Sequence, residues 1–136
     1  MSTPSLICME LPSGEVQNIY CHFDGYPSHN GRILKEHYKD KEIVEALMGL
    51  GNLSHLGPVI GGKVNFEQFV GKEGTDDQCV AYGRDRGETG QEARTVPFDK
   101  LAKEAHDCNA EFIYLYRDGN WLVAQPDNME FVEIEE

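Results

Sequence analysis

Residues 6–23 read LICMELPSGEVQNIYCHF, two apolar stretches separated by a Pro-Ser-Gly-Glu segment. Apolar, partly β-branched runs interrupted by Pro and Gly are typical of a β-hairpin. With Ser13 and Gly14 as the central turn residues, Leu6 is predicted to lie opposite Cys21. The side chains then alternate between two faces, one of Leu6, Cys8, Ile19, Cys21 and Phe23, the other of Ile7, Met9, Leu11, Val16 and Tyr20. Because both faces are apolar, we expect the hairpin to be covered on both sides or to lie centrally in its sheet.

Helices and a second hairpin are predicted along the rest of the chain. Apolar residues recur at helical spacing in three segments, residues 32–39, 41–50 and 97–107. Asp118-Gly119 lies between the apolar runs 111–116 and 120–124, and Asp-Gly in such a position is the strongest short hairpin signal in the sequence. The glycine-rich segment 58–94 is predicted to be mostly loop, with one strand at residues 78–82.

This order of elements predicts an α+β fold. Adjacent hairpins favour a mostly antiparallel sheet of about four to six strands, with the helices packed on one face. A chain of 136 residues has the usual size of one domain, so residues 1–136 are expected to form a single domain. Residues 127–136 alternate acidic and apolar side chains and are expected to form either an edge strand or a loose acidic tail.

The charge balance narrows the possible partners. The chain has 24 acidic and 12 basic residues, a formal net charge of −12. Binding to nucleic acid relies on Lys and Arg that displace counterions from phosphates, so direct nucleic-acid binding is not expected. An acidic surface suits a partner protein with a basic surface, although the same charge also simply keeps a protein soluble. The candidate contact residues are the C-terminal acids Glu130, Glu133, Glu135 and Glu136.

The cysteines and the hydropathy pattern favour a reducing cytoplasm. The four cysteines, Cys8, Cys21, Cys79 and Cys108, are far apart and show no CxxC spacing, which argues against a zinc site or a disulfide scaffold. The first residues lack the basic start and apolar run of a signal peptide. No apolar stretch approaches the roughly 20 residues that span a membrane, so no membrane association is expected.

One candidate metal site follows the first hairpin. His22 and Asp24 are two positions apart and share a face if the strand continues, and His29 follows across the next turn. Two histidines and a carboxylate can bind a divalent metal or perform acid–base chemistry. The same His and Asp side chains equally suit hydrogen bonds to loop backbone at a strand end. The metal is the one cofactor that the sequence suggests.

A second candidate site is the arginine pair Arg84 and Arg86. Two arginines at the end of a predicted strand can hold a phosphate or carboxylate bidentately, and Tyr26 or Tyr82 offers a stacking face for a base. This combination suits a small anionic nucleotide. The arginines equally suit ion pairs with Asp85 and Glu88.

Four segments together resemble a group of small, mostly uncharacterised proteins of phages and prophages. They are IYCHFDGYP at residues 19–27, LMGLGNLSHL at 47–56, GRDRGE at 83–88 and AEFIY at 110–114. The resemblance implies a host cytoplasm and an accessory role in infection, and it assigns no catalytic residue. Small acidic phage accessory proteins are often similar to inhibitors of host defence or nucleic-acid enzymes, including anti-CRISPR proteins.

Three functions are therefore expected, in this order. The first is a non-enzymatic accessory protein that binds and inhibits a host defence or nucleic-acid-processing protein. The second is a binder that sequesters an anionic nucleotide or signal molecule through Arg84 and Arg86. The third is a small metal-dependent hydrolase built on His22, Asp24 and His29.

Overall fold

The predicted N-terminal hairpin lies at the centre of the sheet. The computed structural model of the chain describes residues 3–22, 25–60 and 79–134, so Phe23 and Asp24 lie outside the described residues. Eight strands form one mixed sheet in this part of the chain. They are β1 (Ser5–Glu10), β2 (Glu15–Cys21), β3 (Leu53–His55), β4 (Val80–Ala81), β5 (Arg94–Pro97), β6 (Phe112–Arg117), β7 (Asn120–Ala124) and β8 (Val132–Glu133).

Helical elements connect these strands. The α-helices within the described ranges are α1 (Arg32–His37), α2 (Lys41–Leu50), α3 (Tyr82–Arg86) and α4 (Leu101–Asp107). A π-helical turn, Pro27–Gly31, leads into α1, and a 3-10 turn, Phe98–Lys100, leads into α4. The bounds predicted for the second helix are confirmed. Of the residues described, none belongs to a helix long and apolar enough to cross a membrane.

The strand order is β4-β3-β2-β1-β6-β7-β8, and β5 pairs with β2 beside this path. Five strand pairs are antiparallel, whereas β1–β6 and β2–β3 are parallel. The predicted α+β class with a mostly antiparallel sheet is confirmed, but the sheet is mixed and has more strands than expected. The strands that the sequence did not predict are β3 and β5, which are three and four residues long and too short for a clear period-two pattern.

The register of the first hairpin differs from the prediction by one residue. Its loop has three residues between Leu11 and Glu15, which are joined by a backbone hydrogen bond of 2.9 Å. Gly14 ends this loop at φ +89°, a conformation that glycine adopts readily. Leu6 therefore lies opposite Tyr20 and not opposite Cys21.

This shift changes which side chains share a face, because strand residues alternate. Ile19 and Cys21 lie with Ile7 and Met9 in a first core cluster, and Val16 lies with Leu6 and Cys8 in a second. The first cluster also contains Leu34 of α1 and Leu47 of α2, whereas the second contains Leu101 and Ala105 of α4. The hairpin is covered on both sides, as expected. The prediction that all helices pack on one face is wrong, because both sheet faces are apolar and each needs a cover.

The C-terminal segment forms an edge strand, β8, which Ile134 follows directly. β8 pairs with β7 on one side and is the last strand of the sheet. Ile134 is buried in the first core cluster, and the Lys35 ammonium donates a 2.7 Å hydrogen bond to the Ile134 carbonyl. These contacts hold the residue that directly follows β8.

Candidate functional site

The Arg84 side chain of α3 is held inside the protein. Its guanidinium donates hydrogen bonds of 2.8 Å to the carbonyl oxygens of Ile60 and Cys79 and of 3.0 Å to the Asp85 carboxylate. The Asp85 side chain is fully buried and accepts a 2.8 Å bond from the backbone N–H of Ala81. Arg84 therefore joins three chain segments, and a phosphate bound there would compete with these bonds.

The other residues of the predicted nucleotide site differ from Arg84 in their burial and contacts. Tyr82 begins α3 and is half-buried, with its N–H donating to the Asn52 carbonyl at 3.2 Å. Tyr26 is exposed before the π-helical turn, and its ring lies edge-on to His29 with centroids 6.2 Å apart. The side chain of Arg86 lies outside the part of the chain that the structure describes.

The two predicted metal-binding histidines have different neighbours. The Nδ1 atom of His22 lies 2.7 Å from the Tyr20 hydroxyl. His29 has its Nδ1 atom 2.9 Å from Asn30 Oδ1, and the Asn30 amide donates to Cys21 Sγ at 3.4 Å. Because Tyr20 and Cys21 are successive strand residues, they face opposite sides of the sheet. His22 and His29 therefore lie on opposite sides of β2.

His29 lies instead beside His55 of β3, with ring centroids 5.9 Å apart, a neighbour that the sequence did not suggest. The third predicted ligand, Asp24, is outside the described residues. Within residues 3–22, 25–60 and 79–134, no group of three His, Cys, Asp or Glu side chains is arranged to hold a metal ion.

The C-terminal acids lie beside an open sheet edge. Glu130 and Glu133 are exposed, and Val132 between them is 58% exposed. No strand in the described part of the chain pairs with the outer edge of β8. Glu135 and Glu136 lie outside the described residues. We refer to Glu130, Val132 and Glu133 as the acidic edge.

A cavity that sequence patterns did not predict lies between β2, β5 and α4. Its volume is about 250 Å³. The sheet contributes Leu6, Asn18 and Tyr20, β5 contributes Arg94, and α4 contributes Glu104 and Asp107. The sequence signal that points to this β2–α4 cavity is Asn18, a polar residue on a strand face whose other positions are apolar.

A break in strand pairing creates this cavity. Along its outer edge, β2 pairs with β5 from Glu15 to Asn18 and with β3 at Cys21. Between these partners, the backbone N–H of Tyr20 donates a 2.9 Å hydrogen bond to the Asn52 side chain. One asparagine thus replaces a strand at this point, which leaves space beside α4.

Burial keeps the titratable hydroxyl and thiol groups of the cavity protonated. The pKa of Tyr20 is raised to about 12, mainly by burial and to a smaller extent by the neighbouring Tyr82. Burial also raises the pKa of Cys108, which follows α4 and lines the cavity. The charged side chains that line the cavity are Arg94, Glu104 and Asp107, and the Asp107 carboxylate is paired with the Lys103 ammonium at 2.9 Å.

Three features of the molecule can thus be compared as sites. Arg84 is committed to internal bonds, the acidic edge is open, and the β2–α4 cavity combines polar and apolar walls. Comparison of the chain with protein-family models, curated proteins and solved structures gave no match.

Proposed function

We propose that the protein is a non-enzymatic accessory binding protein of the phage type. In this proposal, its acidic edge docks on a basic surface of a host defence or nucleic-acid-processing protein and inhibits that protein. The net charge of −12 supports a basic partner, because complementary charge accelerates association and disfavours wrong partners.

The acidic edge is the observation that carries the proposal. An exposed edge strand offers backbone N–H and C=O groups to a strand of another protein, and alternate side chains then select the partner. Val132 offers an apolar contact, and Glu130 and Glu133 flank it with negative charge. Arg and Lys side chains on the partner strand would complement these carboxylates.

The edge is also held in place before any partner arrives. The buried Ile134 and the hydrogen bond from Lys35 to its carbonyl fix the residue that follows β8. A preorganised strand has less conformational entropy to lose on association than a disordered tail. The anchoring therefore favours docking by strand addition.

The test is capture of a partner from host lysate by the immobilised full-length chain, at low and at high salt. We expect a protein with a basic surface to be captured at low salt and released at high salt, since exposed charges are screened. The double variant Glu130→Lys/Glu133→Lys should lose the captured protein.

A matched control distinguishes the edge from net charge. Glu42 and Glu45 are exposed acids of α2, and Glu42→Lys/Glu45→Lys changes the charge by the same amount. This control should retain the captured protein. Equal losses in both double variants, or no loss in either, would contradict docking through the acidic edge.

A further inference from the structure

We propose that the β2–α4 cavity receives an arginine side chain of the basic partner, an inference that rests on the proposed docking function. The guanidinium would lie between Glu104 and Asp107 of α4 and the side chain of Asn18. The cavity would then anchor the partner at a second point, separate from the acidic edge.

Asn18 is the first observation that points to a ligand. The residue is 3% exposed, and its Nδ2 group donates to the Arg94 carbonyl at 3.1 Å. That bond fixes the amide so that Oδ1 is the remaining acceptor, and none of the described residues donates to it. Because Asn18 lines the cavity and Oδ1 is not enclosed, a ligand with N–H groups can donate to it.

The pairing of Arg94 with Glu104 shows which group the helix wall accepts. The Arg94 guanidinium lies 3.3 Å from the Glu104 carboxylate, with exposures of 64% and 22% for the two side chains. Glu104 thus already binds a guanidinium, held loosely because Arg94 extends into solvent. A partner arginine can displace Arg94 and form the same fork, which guanidinium makes better than ammonium.

The remaining lining suits the stem and the face of an arginine. Leu6 gives an apolar surface for the methylene groups, which arginine commonly packs against such surfaces. The ring of Tyr20 also lines the cavity, and guanidinium groups stack on aromatic rings. The volume of about 250 Å³ exceeds the roughly 150 Å³ that holds a benzene molecule, which is room for one long side chain.

The test is an NMR titration of the isotope-labelled full chain with N-acetyl-arginine amide. The matched probe is the citrulline counterpart, which has the same shape without the charge. We expect saturable shifts of the Asn18 side-chain amide and of the Cys108 backbone amide with arginine, and none with citrulline. Equal shifts with both probes, or arginine shifts that do not saturate, would overturn the inference.

Two variants test whether arginine binds at the cavity or responds to charge in general. Arg94→Ala removes the internal competitor and should tighten arginine binding about two- to five-fold, the ratio that corresponds to one exposed ion pair. Arg32→Ala is the control, because Arg32 is 63% exposed and forms a similar exposed pair with Glu36 at 3.1 Å. An equal effect of both variants would show a general charge effect and contradict the assigned site.

The experiments on the cavity and on the acidic edge test the two proposals independently, so one proposal can be wrong while the other stands. If the edge captures its partner but arginine does not bind at Asn18, the cavity inference is wrong and the docking proposal stands. If arginine binds at Asn18 but the edge variants capture as the native chain does, the docking proposal is wrong and the guanidinium site stands.

Discussion

The side-chain oxygen of Asn52 accepts a 2.9 Å hydrogen bond from the backbone N–H of Tyr20, in place of a neighbouring strand. The Asn52 amide in turn donates to Gln91 at 3.0 Å. Asn52→Ala should therefore leave a strand N–H unpaired and lower the free energy of unfolding by about 1–3 kcal/mol. Urea denaturation measures this loss.

Asn120→Ala is the control for this substitution. Asn120 is exposed in β7, and its side chain makes a long 3.5 Å contact with the Asp118 carbonyl. We expect a change within about 0.5 kcal/mol. If Asn52→Ala is equally mild, then water replaces Asn52 at the break and the side chain does not hold β2.

Arg84 and Asp85 form the most buried ion pair that the structure describes, with side-chain exposures of 18% and 0%. Arg84→Ala removes one partner and leaves the buried carboxylate without its charge partner, which should cost on the order of 3 kcal/mol. Arg94→Ala removes an arginine from an exposed pair and should cost less than about 1 kcal/mol. Thermal and urea denaturation compare the two variants.

The same pair tests the nucleotide hypothesis. A native-like stability of Arg84→Ala, together with loss of binding to an anionic nucleotide, would contradict the structural role of Arg84. It would then favour the sequestering function predicted from Arg84 and Arg86. A destabilised variant supports the structural role that the hydrogen bonds of the guanidinium to Ile60, Cys79 and Asp85 indicate.

Position 119 requires glycine because of its backbone conformation and not because of the space around it. It lies at φ +81° after Asp118 at φ +52°, and an added Cβ would meet nothing within 4 Å. Gly119→Ala should therefore destabilise the protein by about 1 kcal/mol through backbone strain alone. Gly49→Ala in α2 also has open space but lies in a helix, where it should stabilise by about 0.5–1 kcal/mol. Shifts of the same sign in melting temperature would contradict this reading.

Alkaline pH should unfold the protein through its buried tyrosines. Burial is the main cause that raises the pKa of Tyr20 to about 12. It is also the main cause that raises the pKa of Tyr38 and of Tyr114. Above about pH 10 the unfolded chain loses tyrosine protons that the folded chain keeps. Stability from these groups is therefore complete below that pH and is lost as the pH rises towards the folded values.

Urea midpoints measured from about pH 8 to about pH 11 would show this loss. Tyr20→Phe removes one of the shifted groups and should make the decline shallower. A decline as steep as that of the native chain would mean that Tyr20 does not contribute. Tyrosinate absorbance, followed in parallel with circular dichroism, identifies the ionisation with unfolding.

The sequence by itself determined the elements that depend on neighbouring residues. Asp118-Gly119 predicted the turn between β6 and β7 because positive φ at two successive positions is a local requirement. Helical spacing predicted α2 from Lys41 to Leu50, since one apolar stripe must face a core. The apolar character of both faces of residues 6–23 predicted that this hairpin would be covered on both sides.

Only the tertiary structure decided how those elements meet. A three-residue loop at Gly14, rather than a two-residue turn, moved Cys21 to the face opposite the one predicted. The tertiary structure also placed His29 beside His55 and His22 beside Tyr20. The β2–α4 cavity joins Leu6 and Asn18 to Glu104 across most of the chain. Local sterics and capping act over a few residues, whereas strand pairing and helix packing bring together groups whose separation in sequence carries no signal of their contact.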